Sequence, residues 1–160
     1  MKRLLPILFI AGAALLTACS GDIVYSRFYP ITYADGVTSL SQEWHQDSVV
    51  RFVVPIADTT VDYRTIVYVR HTERYPYQNM WLFVDDGLRR DTIEFYLADD
   101  RGQWLGDTHN GVMEMPVLLD ENRHFTDTGM YELRITHGMR DTLLRGISDV
   151  GLEVIRNSKE

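Results

Sequence analysis

Apolar residues recur at every second position along most of this chain, in short runs separated by turns, and that period fits strands with one face on a core. Ile93, Phe95 and Leu97 alternate with Thr92, Glu94 and Tyr96. Tyr131, Leu133 and Ile135 alternate with Met130, Glu132, Arg134 and Thr136, and Val150, Leu152 and Val154 with Gly151, Glu153 and Ile155. The β-branched density of Val49 to Val54 and of Ile66 to Val69 predicts central strands. Tyr25 to Tyr29 and Met80 to Val84 add two shorter ones. Asp85-Asp86-Gly87, Asp99-Asp100-Arg101-Gly102 and Thr126-Asp127-Thr128-Gly129 put glycine where a hairpin loop needs a positive φ. The pattern predicts an all-β fold: an antiparallel β-sandwich, jelly-roll-like, in a single domain over residues 25–156. Phe52, Ile66, Phe95, Leu133 and Leu152 are its expected core. A helix of one or two turns is predicted over Met139 to Arg145, bounded by Gly138 and Gly146. Residues 157–160 read as a frayed polar end.

The first eighteen residues follow a different logic. Lys2 and Arg3 precede an apolar run from Leu4 to Leu16, broken only by Pro6 and Gly12. That run falls short of the roughly twenty residues a membrane-spanning helix needs, and it has the length of a signal-peptide core. Leu16-Thr17-Ala18-Cys19 then matches the bacterial lipobox, so residues 1–18 read as a lipoprotein signal peptide. An ordinary signal peptide with an incidental cysteine is the alternative, but the only cysteine of the chain stands at the predicted junction. Cys19 would carry the diacylglycerol and residues 19–24 would form a lipidated tether. At about 0.8 kcal/mol per buried methylene, two or three acyl chains hold a protein to a bilayer without further help. The expected location is the cell envelope, membrane-anchored on the periplasmic side.

Charge and motif content narrow the function. A net charge of −7 repels a phosphate backbone and excludes nucleic acid as a partner. A lone cysteine excludes an internal disulfide. No nucleophile elbow, phosphate loop, dinucleotide fingerprint or His-Glu-x-x-His motif occurs. The histidines at 45, 71, 109, 124 and 137 are too scattered to suggest a metal site from spacing. Asp85-Asp86 and Asp99-Asp100 are explained by turn chemistry before calcium. A triad of Ser148, His137 and Asp141 is imaginable only because such residues are abundant. No enzyme, no cofactor beyond the covalent lipid and no small-molecule ligand are therefore expected. Tyr75, Tyr77, Trp81 and Trp104 fall in or beside loops, where aromatic platforms stack on sugars; core or interface packing is the plainer reading.

Three stretches in order resemble the gliding motility lipoprotein GldH family. They are Arg74-Tyr75-Pro76-Tyr77-Gln78-Asn79-Met80-Trp81-Leu82-Phe83, then Asp91 to Asp99 with Gly102-Gln103-Trp104-Leu105-Gly106, then Met139-Arg140-Asp141-Thr142-Leu143-Leu144-Arg145-Gly146-Ile147-Ser148-Asp149-Val150-Gly151-Leu152. The resemblance runs from about Tyr25 to Glu153. It departs at Leu143, where the family often has proline, which leaves the shape of that loop open. It implies a non-enzymatic Bacteroidota envelope lipoprotein, an accessory of the gliding machinery and its linked secretion, with proteins of that machinery as partners. A glycan-binding lipoprotein is the alternative, favoured if Trp81 and Trp104 share an exposed groove.

The expected functional surface combines Met139 to Asp149 with the Tyr75 to Asn79 loop. Tyr75, Tyr77, Arg140, Asp141, Arg145 and Asp149 are its candidate partner-binding residues. Arginine suits this work because its planar fork makes directional bonds and stacks on aromatic rings. A competing reading has Arg140 pairing with Asp141 or Asp149 to hold the loop shut.

Overall fold

The computed structural model describes residues 22–31, 33–34, 40–41 and 43–157; the signal peptide, Cys19 and residues 158–160 lie outside them. The strands are β1 (Asp22–Pro30), β2 (Tyr33–Ala34), β3 (Leu40–Ser41), β4 (Glu43–His45), β5 (Val50–Ile56), β6 (Tyr63–Thr72), β7 (Asn79–Asp85), β8 (Arg90–Tyr96), β9 (Asp107–His109), β10 (Val112–Arg123), β11 (Gly129–His137), β12 (Leu143–Arg145) and β13 (Ile147–Arg156). A five-stranded sheet runs β1-β13-β6-β10-β9 and a four-stranded sheet β5-β11-β7-β8, with every pairing antiparallel. Their inner faces enclose one core, in which Phe52, Val67, Met80, Leu82, Ile135 and Leu152 are essentially inaccessible to solvent. The antiparallel sandwich read from the sequence is the fold.

Strand phase follows side-chain chemistry. In β5, buried Val50, Phe52, Val54 and Ile56 alternate with exposed Arg51, Val53 and Pro55. This strand was expected to be central, yet among the described residues it lies at the edge of its sheet, with β11 on one side only. β-branched density does not separate the two cases, because Val53 spends its branching on the solvent face. β6 is central as expected, between β13 and β10. Its phase differs at Ile66, which faces outward and is half-buried, while Val67, Val69 and His71 fill the core. Pairing with β13 and β10 selects that phase, and a one-residue shift would exchange the two faces. Phe52, Phe95 and Leu152 are buried as expected, and Leu133 packs on the core with part of its side chain accessible.

Among the elements not read from the sequence, two depart from it for clear reasons. The twelve-residue β10 carries Pro116 in its middle, which argues against a strand. The proline is accommodated because β9 pairs with β10 only from Val112 to Glu114, so Pro116 lies beyond the covered part of that edge. The helix expected over Met139 to Arg145 does not form. Residues Leu143–Arg145 are instead β12, paired with β4 so that Leu144 lies opposite Trp44, and both side chains are fully buried. Two large apolar groups directly opposite each other stabilise a ribbon that a short helix between glycines cannot match. β1 begins at Asp22, opposite Arg156, so residues 22–24 lie in the sheet and not in the tether.

The sandwich has two distinct ends. Asp22, Arg156, Tyr63 and Arg123 are in register at one end; Pro30, Asp149 and Arg70 are in register toward the other. The nine residues of β1, at about 3.3 Å each, separate the ends by roughly 27 Å.

Candidate functional site

The β6–β7 loop and the segment after β11 meet at the Pro30 end. The amide of Tyr75 donates to the Thr72 carbonyl at 3.0 Å, and the Tyr75 hydroxyl donates to the Asn79 carbonyl at 2.7 Å, closing the loop on itself. The Tyr75 ring is only 2% exposed and packs on His71, with centroids 5.8 Å apart. Burial pushes its phenol far above the usual tyrosine range. Tyr75 thus supports the loop from beneath and offers no surface to a partner, contrary to its assignment as a contact residue.

With Tyr75 held inside, Tyr77 emerges half-exposed, and its hydroxyl donates to Asp141 Oδ2 at 2.8 Å. That hydrogen bond to a carboxylate keeps the phenol protonated, raising its pKa. Three further contacts lock the two segments together. Thr72 N–H donates to the Gly146 carbonyl at 2.8 Å, Gly138 N–H to the Trp81 carbonyl at 2.7 Å, and Trp81 N–H to Met139 Sδ at 3.4 Å. Gly146 has φ +79°, and a β-carbon there would sit 2.3 Å from the backbone nitrogen of Tyr75. No other residue allows the two chains so close.

The remaining candidates are distributed along this end. Arg140 is exposed and has no ion-pair partner among the described residues. The clasp between two side chains of these segments is Tyr77 to Asp141, and the Arg140 pairing weighed from sequence does not occur. Arg145 lies 3.6 Å from Glu43 across the β12–β4 ribbon with most of its side chain in solvent. Asp149 is placed in β13 with Pro30 and Arg70 as register partners, half-buried, and belongs to the sheet and not to the loop surface.

One contributor, Tyr96, was not among the candidates, and Trp81 was weighed only as a sugar platform. Met80 and Leu82 point into the core, so Trp81 between them stands on the outer face of β7, 36% exposed; on adjoining β8, Tyr96 is 57% exposed. Asn79 lies opposite Tyr96 and Trp81 opposite Glu94, and Asn79 Nδ2 donates to Glu94 Oε1 at 2.7 Å. Both rings were readable as the outward phase of alternating strands. Trp104 is elsewhere: half-buried, its ring meets the fully buried His71 edge-on at 4.8 Å. Trp81 and Trp104 therefore lie on opposite sides of the β7–β8 layer and do not share a groove, which removes the geometry a glycan platform required.

The imagined triad is not assembled. Ser148 Oγ donates to the Arg70 carbonyl at 3.2 Å, His137 Nε2 lies 3.0 Å from the Trp44 carbonyl, and Asp141 is engaged by Tyr77. Burial lowers the pKa of both His71 and His137. Asp86 and Asp99 each accept two backbone N–H groups of their own turns. Among the described residues no three metal-ligating side chains cluster.

Residues 32–154 match the family model described as GldH lipoprotein. The chain is 29% identical over 159 residues to a gliding motility lipoprotein GldH homolog of Christiangramia forsetii, covering 92% of each. It is 28% identical to the gliding motility lipoprotein GldH of Flavobacterium johnsoniae, covering 92% of this chain and 93% of that one. Among solved structures, an uncharacterized protein from Listeria monocytogenes is similar at 13% identity and a TM-score of 0.39, over 84% of this chain and 11% of that one.

Proposed function

Because the chain belongs to the GldH lipoprotein family, we propose that it is a non-enzymatic accessory component of the gliding-motility apparatus and its linked secretion, acting through protein contacts. Family membership makes it a membrane-anchored lipoprotein of the cell envelope. In our reading Cys19 carries the lipid, the folded domain stands on the periplasmic side, and its partners are envelope proteins of the gliding machinery.

The observation that carries the reading is the Tyr77–Asp141 hydrogen bond, which fixes two loops as one surface at the end remote from Asp22. Around it stand exposed Arg140 and the half-exposed rings of Tyr77, Trp81 and Tyr96. Tyrosine, tryptophan and arginine are the side chains that dominate binding energy at protein interfaces, and rings held by a scaffold lose little entropy on docking. A rigid array of this kind supports protein recognition.

The test is a crosslinked pull-down of the acylated protein from its native envelope. Arg140→Ala combined with Tyr77→Ala is expected to cut partner recovery while the thermal midpoint stays nearly unchanged. Full recovery with the double variant would place recognition on another surface, and a collapsed midpoint would assign these residues to stability.

A further inference from the structure

A slot of about 80 Å³ opens between the two sheets at the Asp22 end. Its walls include Val84, Ile93, Leu119, Phe125, Leu133 and Val154, and its mouth lies between β8 and the end of β10. Among the described residues neither strand is paired there: β8 is the outermost strand of its sheet, and β9 covers β10 only as far as Glu114. Two free strand edges thus border an apolar opening. Arg123 straps the mouth by donating to Asp86 at 2.7 Å; Arg89 lies 3.0 Å from Asp91 and 4.0 Å from Asp120. With Glu132, which Arg134 meets at 3.5 Å from outside the slot, the rim carries four carboxylates against three guanidinium groups.

Each property restricts the occupant. A cavity walled by aliphatic groups is a poor site for water, and one of about 150 Å³ takes a benzene ring. Roughly half that volume takes a branched aliphatic group of a few carbons and is too small for an acyl chain. The carboxylate excess at the rim repels phosphate and attracts a cation. Unpaired strand edges bind extended backbone. We infer that the slot docks an extended segment of a protein partner, which inserts one Val, Ile or Leu side chain between the sheets and sets a Lys or Arg beside it against Asp91 and Asp120. The site is a strand's length from Tyr77 and Asp141, and neither assignment depends on the other.

The test is selection of a random peptide library on the acylated full-length protein in detergent micelles, in parallel with the same protein carrying Val84→Phe, which fills the slot from its own wall. Peptides with a single aliphatic residue flanked by Lys or Arg are expected to enrich roughly tenfold or more over the filled protein. The filled protein should keep the parent's thermal midpoint; Leu119→Phe fills the same space from β10 should Val84→Phe fold poorly. Asp91→Lys with Asp120→Lys should turn the flanking preference toward Asp and Glu. Absence of enrichment, equal enrichment on the filled protein, or a flanking preference unmoved by charge reversal each overturns the inference.

Discussion

Gly146 and Gly87 share a backbone conformation and differ in surroundings, so replacing each with alanine separates conformational strain from crowding. Their φ angles are +79° and +83°. A β-carbon at Gly87 meets nothing within 4 Å, and Gly87→Ala should cost only the left-handed penalty of an L-residue, about 1–2 kcal/mol. At Gly146 the same atom would lie 2.3 Å from Tyr75 N, 2.7 Å from Arg74 C and 2.8 Å from Tyr75 Cα, against an ordinary contact of 3.4 Å or more. The neighbours are backbone, so one chain has to retreat by about 1 Å, weakening the Thr72 to Gly146 hydrogen bond and the seat of the Tyr75 ring. Adding about 1–3 kcal/mol for this overpacking to the shared strain gives a loss of about 2–5 kcal/mol for Gly146→Ala. Urea unfolding followed by tryptophan fluorescence would read both, with the slope checked for constancy so that midpoints compare directly. Equal midpoint shifts for the two variants would refute the claim that the β6–β7 loop and the Gly146 turn are pressed together.

Acid should destabilise the fold through its two buried histidines. Burial holds the pKa of His71 and His137 below the unfolded value of about 6.5, so the unfolded chain takes up protons first as pH falls. Stability should be level above about pH 6.5 and decline below it, by at most about 1.4 kcal/mol per pH unit for each histidine; urea midpoints that rise between pH 7.5 and 5 would contradict this. Leu133→Ala should cost about 2 kcal/mol and Glu132→Ala less than about 0.5, and equal losses in thermal melts would mean that β11 is out of register by one residue. Cys19→Ala should abolish palmitate labelling and release the protein from membranes; retention after a high-salt wash would remove the lipid anchor from the account.

The layer arrangement was legible because alternation with one polar face reports burial directly, as in Ile93 and Phe95 or Val150, Leu152 and Val154. It failed where both faces are apolar: Ile66-Val67-Tyr68-Val69 has two acceptable phases, and only pairing with β13 and β10 selects one. Pro116 concealed β10, since the partial cover that tolerates a proline depends on how far β9 reaches. At the candidate site, the sequence brought the right two segments forward but not their chemistry. Tyr75 and Tyr77 are two residues apart in one loop, yet one is core and the other surface, a difference set by His71 beneath them and by Asp141, 64 residues from Tyr77. The Trp44–Leu144 pair that converts the expected helix into a strand joins positions a hundred residues apart.

The direction of β1 has a mechanical consequence. If Cys19 anchors the chain and a partner grips Tyr77, as proposed above, the two attachments lie toward opposite ends of the sandwich, and tension between them runs along β1. The hydrogen bonds joining β1 to β13 lie across that axis, over a register from Asp22 and Arg156 to Pro30 and Asp149. Load applied in this way shears the whole ladder at once and does not peel it bond by bond. Rupture under such a load would require many bonds to fail together.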